Sequence, residues 1–118
     1  MEPFTARVHE MKLRPSPFDM IASRHKQYEL RLWDEKRQRI CPGDTIIFIQ
    51  TETGERLYVN VISIHHFASF EELYEALPAD QIGYSKETAH LADPEDMRSY
   101  YDRQEEADYG VVAIKIAL

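Results

Sequence analysis

The chain has 118 residues, of which 43% are hydrophobic and 30% are charged, and its formal net charge is −7. This length and balance predict one folded domain and exclude a disordered tail. The single cysteine, Cys41, excludes an internal disulfide, so we expect a protein of a reducing compartment, the cytoplasm. The chain lacks an apolar stretch of roughly 18 residues and a secretory pattern at its start, so we expect no membrane association.

The charge is unevenly distributed along the chain. Residues 1–56 contain ten Lys and Arg against nine Asp and Glu, whereas residues 57–118 contain four against twelve. A non-specific nucleic-acid binder normally presents a broad basic face, because neutralised phosphates supply most of its affinity. The sequence therefore allows only a local basic patch, and the acidic second part leaves a protein partner as an alternative.

The first half of the chain predicts three strands, a short helix and a turn. Residues 7–13 form a candidate first strand, and residues 15–17, Pro-Ser-Pro, break it and open a short helix. Apolar and polar residues then alternate over 27–33, which is typical of a half-buried strand. Pro42-Gly43 occupies the centre of a predicted type II turn. Residues 46–49 follow as a strand that is apolar on both faces, so we expect it to be central.

The second half predicts a hairpin, two helices and a closing strand. Thr53-Gly54 joins the central strand to a long strand over 57–67. Residues 69–72, Ser-Phe-Glu-Glu, predict a capping box at a helix start. Residues 93–96 combine an N-cap, a proline at the first helical position and acids in the first turn, and so predict a second helix. Its packed side is predicted to carry Met97, Tyr100 and Tyr101. Residues 109–116 predict a final strand inserted into the sheet.

The strand over 27–33 carries the most suggestive charges. Glu29 and Arg31 are two residues apart, so their side chains leave the same face of the strand, which we expect to be exposed, with Lys26 at its edge. The simpler interpretation is a surface ion pair of little energetic value. The functional interpretation is a ligand site built on this face.

Other polar residues favour no special chemistry. His65 and His66 end a predicted strand, where adjacent side chains point to opposite faces, so we expect no metal site. Cys41 has no identifiable base beside it and is interpreted as an incidental thiol. The acidic residues over 102–108 predict a solvated stretch. We therefore expect no metal and no other cofactor.

Four phrases, taken in order, resemble the pattern of the ASCH domain, a branch of the PUA-like β-barrels. They are Lys-x-x-Glu-x-Arg at 26–31, Pro-Gly-Asp at 42–44, Ser-Phe-Glu-Glu-Leu at 69–73 and Tyr-Gly-Val-Val-Ala-Ile at 109–114. The resemblance assigns residues 11–118 to the domain and leaves residues 1–10 as an N-terminal extension or a lead-in to the first strand. It implies an α+β fold, namely a small mixed β-barrel flanked by two to three short helices.

The same resemblance implies an RNA-binding or nucleotide-binding module whose charged cleft is built on the strand of Lys26, Glu29 and Arg31. One bacterial branch of the family removes acetyl from N4-acetylcytidine with a lysine and a threonine of the matching strand. Here Glu29 stands where that threonine would be, so the known hydrolytic arrangement is not reproduced. A small hydrolase acting on a modified nucleoside or on RNA, with Lys26 as base and Glu29 activating water, is the alternative.

In a nucleoside pocket each candidate residue has an expected role. Arg31 would grip a phosphate or a base edge, Glu29 would accept hydrogen bonds from an exocyclic amine, and Lys26 would contact phosphate. Arg14 and Tyr84 are further candidates, because a basic side chain and an aromatic platform suit single-stranded nucleic acid or a free base. The sequence does not distinguish RNA from DNA or from a free nucleoside, and it leaves the oligomeric state open.

Overall fold

The structure is a computed structural model that describes residues 6–118. The expectations about a secretory signal and about the first half of the N-terminal lead-in concern residues 1–5, which lie outside this range. The strands are β1 (Val8–Leu13), β2 (Tyr28–Leu32), β3 (Thr45–Gln50), β4 (Arg56–Phe67) and β5 (Val111–Ala117). The α-helices are α1 (Pro15–Ala22), α2 (Phe70–Ala76), α3 (Ala79–Ile82) and α4 (Arg103–Tyr109), and Arg37–Arg39, Ala89–Leu91 and Pro94–Ser99 form 3₁₀ helices.

The five strands form one curled sheet in the order β1-β3-β4-β5-β2. The β1 and β3 strands run parallel, whereas the other neighbours run antiparallel. The curled sheet makes a half-barrel in which β1 and β2 are the two edges, so the prediction of an α+β domain with a small mixed barrel is confirmed. Among the residues described here, no helix is both long and apolar enough to cross a membrane.

Two apolar clusters cover the two faces of the sheet. The inner cluster fills the concave face and combines residues of β1, β3, β4 and β5 with α1, among them Met11, Phe18, Phe48 and Ile114. The outer cluster packs α2, α3 and the Pro94–Ser99 helix against β2 and β5. The β2 strand is therefore covered on both sides, which bears directly on its charged residues.

Local signals in the sequence are reproduced at one turn and, in part, at one helix start. Gly43 has a φ of +92° and the Asp44 amide donates to the Cys41 carbonyl at 3.0 Å, as a type II turn requires. The Ser69 hydroxyl accepts from the Glu72 amide at 3.2 Å, whereas the Glu72 carboxylate accepts from the Ala68 amide instead of closing the expected capping box on Ser69. The predicted helix after Asp93 is a 3₁₀ helix, Pro94–Ser99.

The prediction of a solvated acidic stretch over 102–108 agrees with the exposure of Asp102, Glu105 and Asp108 but is wrong for Glu106. Asp102 and Glu105 form a capping box that starts α4. Glu106 is buried on that helix, where its Oε2 accepts from the Phe70 amide at 2.6 Å and its Oε1 accepts from Arg98 Nη2 at 2.7 Å. The distant partners of Glu106, on α2 and on the Pro94–Ser99 helix, are invisible in a local charge pattern.

We expect Glu106→Gln to lower the free energy of unfolding by about 1–3 kcal/mol, because an amide NH₂ would face a backbone or guanidinium donor in a buried place. Asp108→Asn on the same helix is the matched control, since Asp108 is exposed and accepts only from Gln104. Urea unfolding of both variants measures the difference. Equal stability of the two variants would contradict a buried role for Glu106.

Candidate functional site

A cleft of about 600 Å³ opens where the two edges of the half-barrel approach each other. Its walls come from the end of β1, from β2, from the segment after α3 and from the Pro94–Ser99 helix with the two residues that follow. All five residues singled out in the sequence line this cleft, namely Arg14, Lys26, Glu29, Arg31 and Tyr84. The volume lies within the range of about 300–1,000 Å³ that is typical of small-molecule sites.

The expectation that Glu29 and Arg31 lie on an exposed strand face is wrong. In the β2–β5 ladder Glu29 pairs with Ile114 and Arg31 with Val112, so both side chains share the concave face with the inner cluster. Glu29 is only 2% exposed. Alternation along a strand shows which residues share a face, but the curl of the sheet decides whether that face is covered.

Both oxygens of the Glu29 carboxylate are fully engaged. Oε1 accepts from Lys26 Nζ at 2.9 Å and from the Leu30 amide at 3.1 Å. Oε2 accepts from Arg31 Nη2 at 3.1 Å and from Arg31 Nε at 3.3 Å. Lys26, Glu29 and Arg31 therefore form one buried cluster, termed here the charge triad, with a net charge of +1.

Arg31 also links the two edges of the half-barrel. Its Nη2 donates to the Lys12 carbonyl of β1 at 2.8 Å while it donates to Glu29. Tyr101 is a further hydrogen-bond partner of the Arg31 side chain. The guanidinium is thus held in a fixed position by Glu29, by β1 and by Tyr101, and Arg31 lines the cleft there.

The triad keeps Glu29 ionised. Burial alone would raise the pKa of this carboxyl, but the charges of Lys26 and Arg31, together with their hydrogen bonds, outweigh burial and lower its pKa overall. A carboxylate with a lowered pKa and no free oxygen is a weak proton acceptor. It also has no lone pair directed at a ligand, so Glu29 is not available to accept the expected hydrogen bond from an exocyclic amine.

A chain of hydrogen bonds fixes the opposite wall of the cleft. The Tyr74 and Tyr84 hydroxyls are 3.0 Å apart, and the Tyr84 hydroxyl donates to Asp96 Oδ2 at 2.6 Å. Burial, followed by the bond to Asp96, raises the pKa of Tyr84 far above that of a free phenol, so the group stays protonated. The Tyr84 ring therefore serves as a rigid wall, while the second oxygen of Asp96 stays free of this chain.

The mouth of the cleft carries two exposed cations, Lys12 and Arg14. The Arg14 guanidinium carbon lies 4.4 Å from the centroid of the Tyr100 ring, which is a cation–π geometry. Tyr100 is 47% exposed, so the prediction that it packs with Met97 is wrong. Tyr100 follows the last residue of the Pro94–Ser99 helix, so the helical repeat that was expected to place it beside Met97 has already ended.

Lys12, Asp96 and Tyr100 were not among the predicted site residues. Polar residues at 10, 12 and 14 alternate with Met11 and Leu13, so a signal for Lys12 was present in the sequence. Across the cleft, Lys12, Arg14, Lys26 and Arg31 face Glu29 and Asp96, which leaves a charge of +2 in a chain of −7. This is the local basic patch that the charge distribution allowed.

The histidine pair and the cysteine, for which the sequence predicted no special chemistry, lie outside the cleft. Trp33 stacks on His66 with ring centroids 5.5 Å apart, and His65 hydrogen-bonds Ser63 at 2.8 Å. Within residues 6–118, no three His, Cys, Asp or Glu side chains are grouped in a way that could hold a metal ion. Cys41 is exposed and does not line the cleft.

We expect Glu29→Gln to lower the free energy of unfolding at neutral pH by about 3–5 kcal/mol, because two buried cations lose their counter-charge. The lowered pKa of Glu29 implies stabilisation that is present above its unfolded pKa of about 4.3 and is lost as the pH falls through the folded value. Urea unfolding at pH 7 and pH 3 should therefore show the gap between wild type and variant narrowing in acid. Glu52→Gln, at an exposed position, is the control, and a gap of constant size would contradict the triad.

Comparisons with known proteins agree with this architecture. A family model described as ASCH domain matches residues 11–118. The chain is 36% identical to the hypothetical protein PH0355, with a TM-score of 0.77 and coverage of 93% of this chain and 96% of that one. It is 38% identical to protein PF0455 from Pyrococcus furiosus, with a TM-score of 0.66 and coverage of 92% and 94%.

A crystal structure of a ZmASCH mutant from Zymomonas mobilis is 14% identical, with a TM-score of 0.59 and coverage of 94% of this chain and 68% of that one, and shows the fold alone. No curated protein sequence matches the chain. The family match spans nearly all of the half-barrel and the helices around it. The chain belongs to the ASCH domain family.

Proposed function

We propose that the cleft binds a nucleotide or a short single-stranded RNA. The observation that carries this proposal is the convergence of Arg14, Lys26, Glu29, Arg31 and Tyr84 on one cleft of about 600 Å³. The ASCH domain has a PUA-like fold and its family is often linked to RNA binding. The charge of +2 on the side chains that line the cleft suits a ligand with a few phosphates and is too small for a long nucleic-acid backbone.

The contacts of each residue suggest how a ligand would be held. Lys12 and Arg14 would meet phosphate, since both are exposed at the mouth of the cleft, and Arg31 would add its positive charge from the cleft wall. A base would stack on Tyr100, which is half exposed and already carries the Arg14 guanidinium. Asp96, and not Glu29, has a carboxylate oxygen left to accept from an exocyclic amine. Glu29 then serves as an organiser that fixes Lys26 and Arg31.

The hydrolase alternative has less support in this geometry. A base or a water-activating carboxylate needs a free lone pair and a pKa near the working pH. Glu29 has both oxygens engaged and a lowered pKa, and the Lys26 ammonium donates to that same carboxylate. Recognition without turnover therefore fits the charge triad better than catalysis does.

Replacing the two exposed cations should weaken binding. We expect Lys12→Ala combined with Arg14→Ala to lower the affinity for single-stranded ribotrinucleotides at least about tenfold at low salt. The slope of log K against log salt concentration should fall in magnitude by about 1.4, because two phosphate contacts are lost. Isothermal titration with oligo(A), oligo(C), oligo(G) and oligo(U) measures both quantities.

The matched control is Arg39→Ala combined with Lys86→Ala. It removes two exposed cations that do not line the cleft and should change affinity less than about twofold. Equal losses in the two double variants, or no binding of any trinucleotide by the wild type, would refute the proposed function.

Tyr100 should contribute through stacking and not through charge. We expect Tyr100→Ala to cost about 1–3 kcal/mol of binding free energy while the salt dependence stays that of the wild type. Tyr58→Ala is the control, because Tyr58 is similarly exposed, at 58%, but lies on β4 away from the cleft. A changed salt slope, or an effect equal to that of Tyr58→Ala, would argue against stacking on Tyr100.

A further inference from the structure

A second cavity, of about 330 Å³, lies on the other side of Lys26. It is termed here the β5 cavity, because the end of β5 forms one wall, and the residues after α1 form another. Its floor is aliphatic, with Ile21, Val59 and Ile116 among its lining residues. Lys26 is the one residue that lines both cavities, so the two are neighbours across its side chain.

The rim of the β5 cavity is cationic. Arg24, Lys26 and Lys115 line it, and no aspartate or glutamate does. Within the described residues, neither Arg24 nor Lys115 has a carboxylate at salt-bridge distance, whereas Lys26 is paired with Glu29. Two cations on the rim of a cavity whose floor is aliphatic favour an anionic ligand with an apolar face.

The backbone holds Arg24 in place at some conformational cost. Arg24 has a φ of +68°, and within residues 6–118 it is the sole residue other than glycine with a positive φ. The amides of His25 and Lys26 both donate to the Met20 carbonyl at 3.0 Å, which closes the turn after α1. Such left-handed residues cost on the order of 1 kcal/mol and concentrate at ligand sites. The turn presents the Arg24 side chain, which is exposed, at the cavity rim.

We propose that the β5 cavity binds the neighbouring nucleotide of a single-stranded RNA whose first nucleotide occupies the main cleft, an inference that rests on the proposed function. The RNA strand would pass Lys26. The aliphatic floor would lie against the face of the second base, and Arg24 and Lys115 would lie beside the phosphate of the second nucleotide. The ligand class is then an oligonucleotide of at least two residues, and a free nucleotide fills only half of the site.

The test compares two probes on one double variant, Arg24→Asn combined with Lys115→Gln. Asparagine tolerates a positive φ, and glutamine keeps a polar stem in β5, so both changes remove charge with little disturbance of the backbone. Titrations use the four ribonucleoside 5′-monophosphates and the matching ribotrinucleotides. We expect the wild type to bind trinucleotides at least about tenfold more tightly than monophosphates, since a second subsite adds contacts.

In the double variant we expect monophosphate affinity to stay within about twofold of wild type. Trinucleotide affinity should fall about tenfold, and the slope of log K against log salt should fall by about 0.7, because the contact to one phosphate is lost. Arg39→Ala combined with Lys86→Ala, two exposed positions that line neither cavity, is the control and should leave both probes unaffected. Wild-type affinities that are equal for the two probes, or equal losses for both probes in the variant, would overturn the inference while the proposed function stands. If the wild type binds neither the monophosphates nor the trinucleotides, the proposed function and the inference are both refuted.

Discussion

The gap between the two edge strands of the half-barrel is the constraint on which the rest of the structure depends. Unpaired edges expose backbone groups, and here side chains satisfy them: Arg31 donates to the Lys12 carbonyl, Lys36 donates to the Glu10 carbonyl, and Glu29 accepts from the Leu30 amide. The bond from Arg31 to the Lys12 carbonyl joins β2 to β1 directly, where no ladder does. The charge triad lies at this gap and bridges it at one point, and the cleft is the part of the gap that remains open.

This arrangement separates the residues that organise the cleft from those that can meet a ligand. Glu29 is held ionised and both of its carboxylate oxygens accept hydrogen bonds from the protein. It therefore positions Lys26 and Arg31 and does not contact a ligand itself. The groups left over are the exposed Lys12 and Arg14 and the Tyr100 ring. An acidic protein thus gains a small basic site without a basic surface, which suits recognition of one or a few phosphates more than non-specific binding to a long polyanion.

Sequence patterns predicted the parts of the fold that depend on near neighbours. Alternation over 27–33 identified β2, and Pro42-Gly43 identified a turn whose Gly43 has the positive φ that such a turn requires. Errors arose where partners come from far along the chain. Glu106 was predicted to be solvated because its partners, the Phe70 amide and Arg98, lie 36 and 8 residues away along the chain. Tyr100 was predicted to be packed because the helix was expected to include it, whereas the helix ends at Ser99.

The sequence by itself determined the fold class, the family resemblance and the residues that share one face of β2, because these follow from periodicity, turn chemistry and short motifs. Only the tertiary structure decided that this face turns inward, that Lys12 and Asp96 join the site, and that a second cationic cavity lies behind Lys26. The physical reason is the curl of the sheet. It covers Glu29, whose side chain is 2% exposed, and it brings together edges that are distant in the chain, so that burial, pairing and pKa depend on contacts that no local pattern encodes.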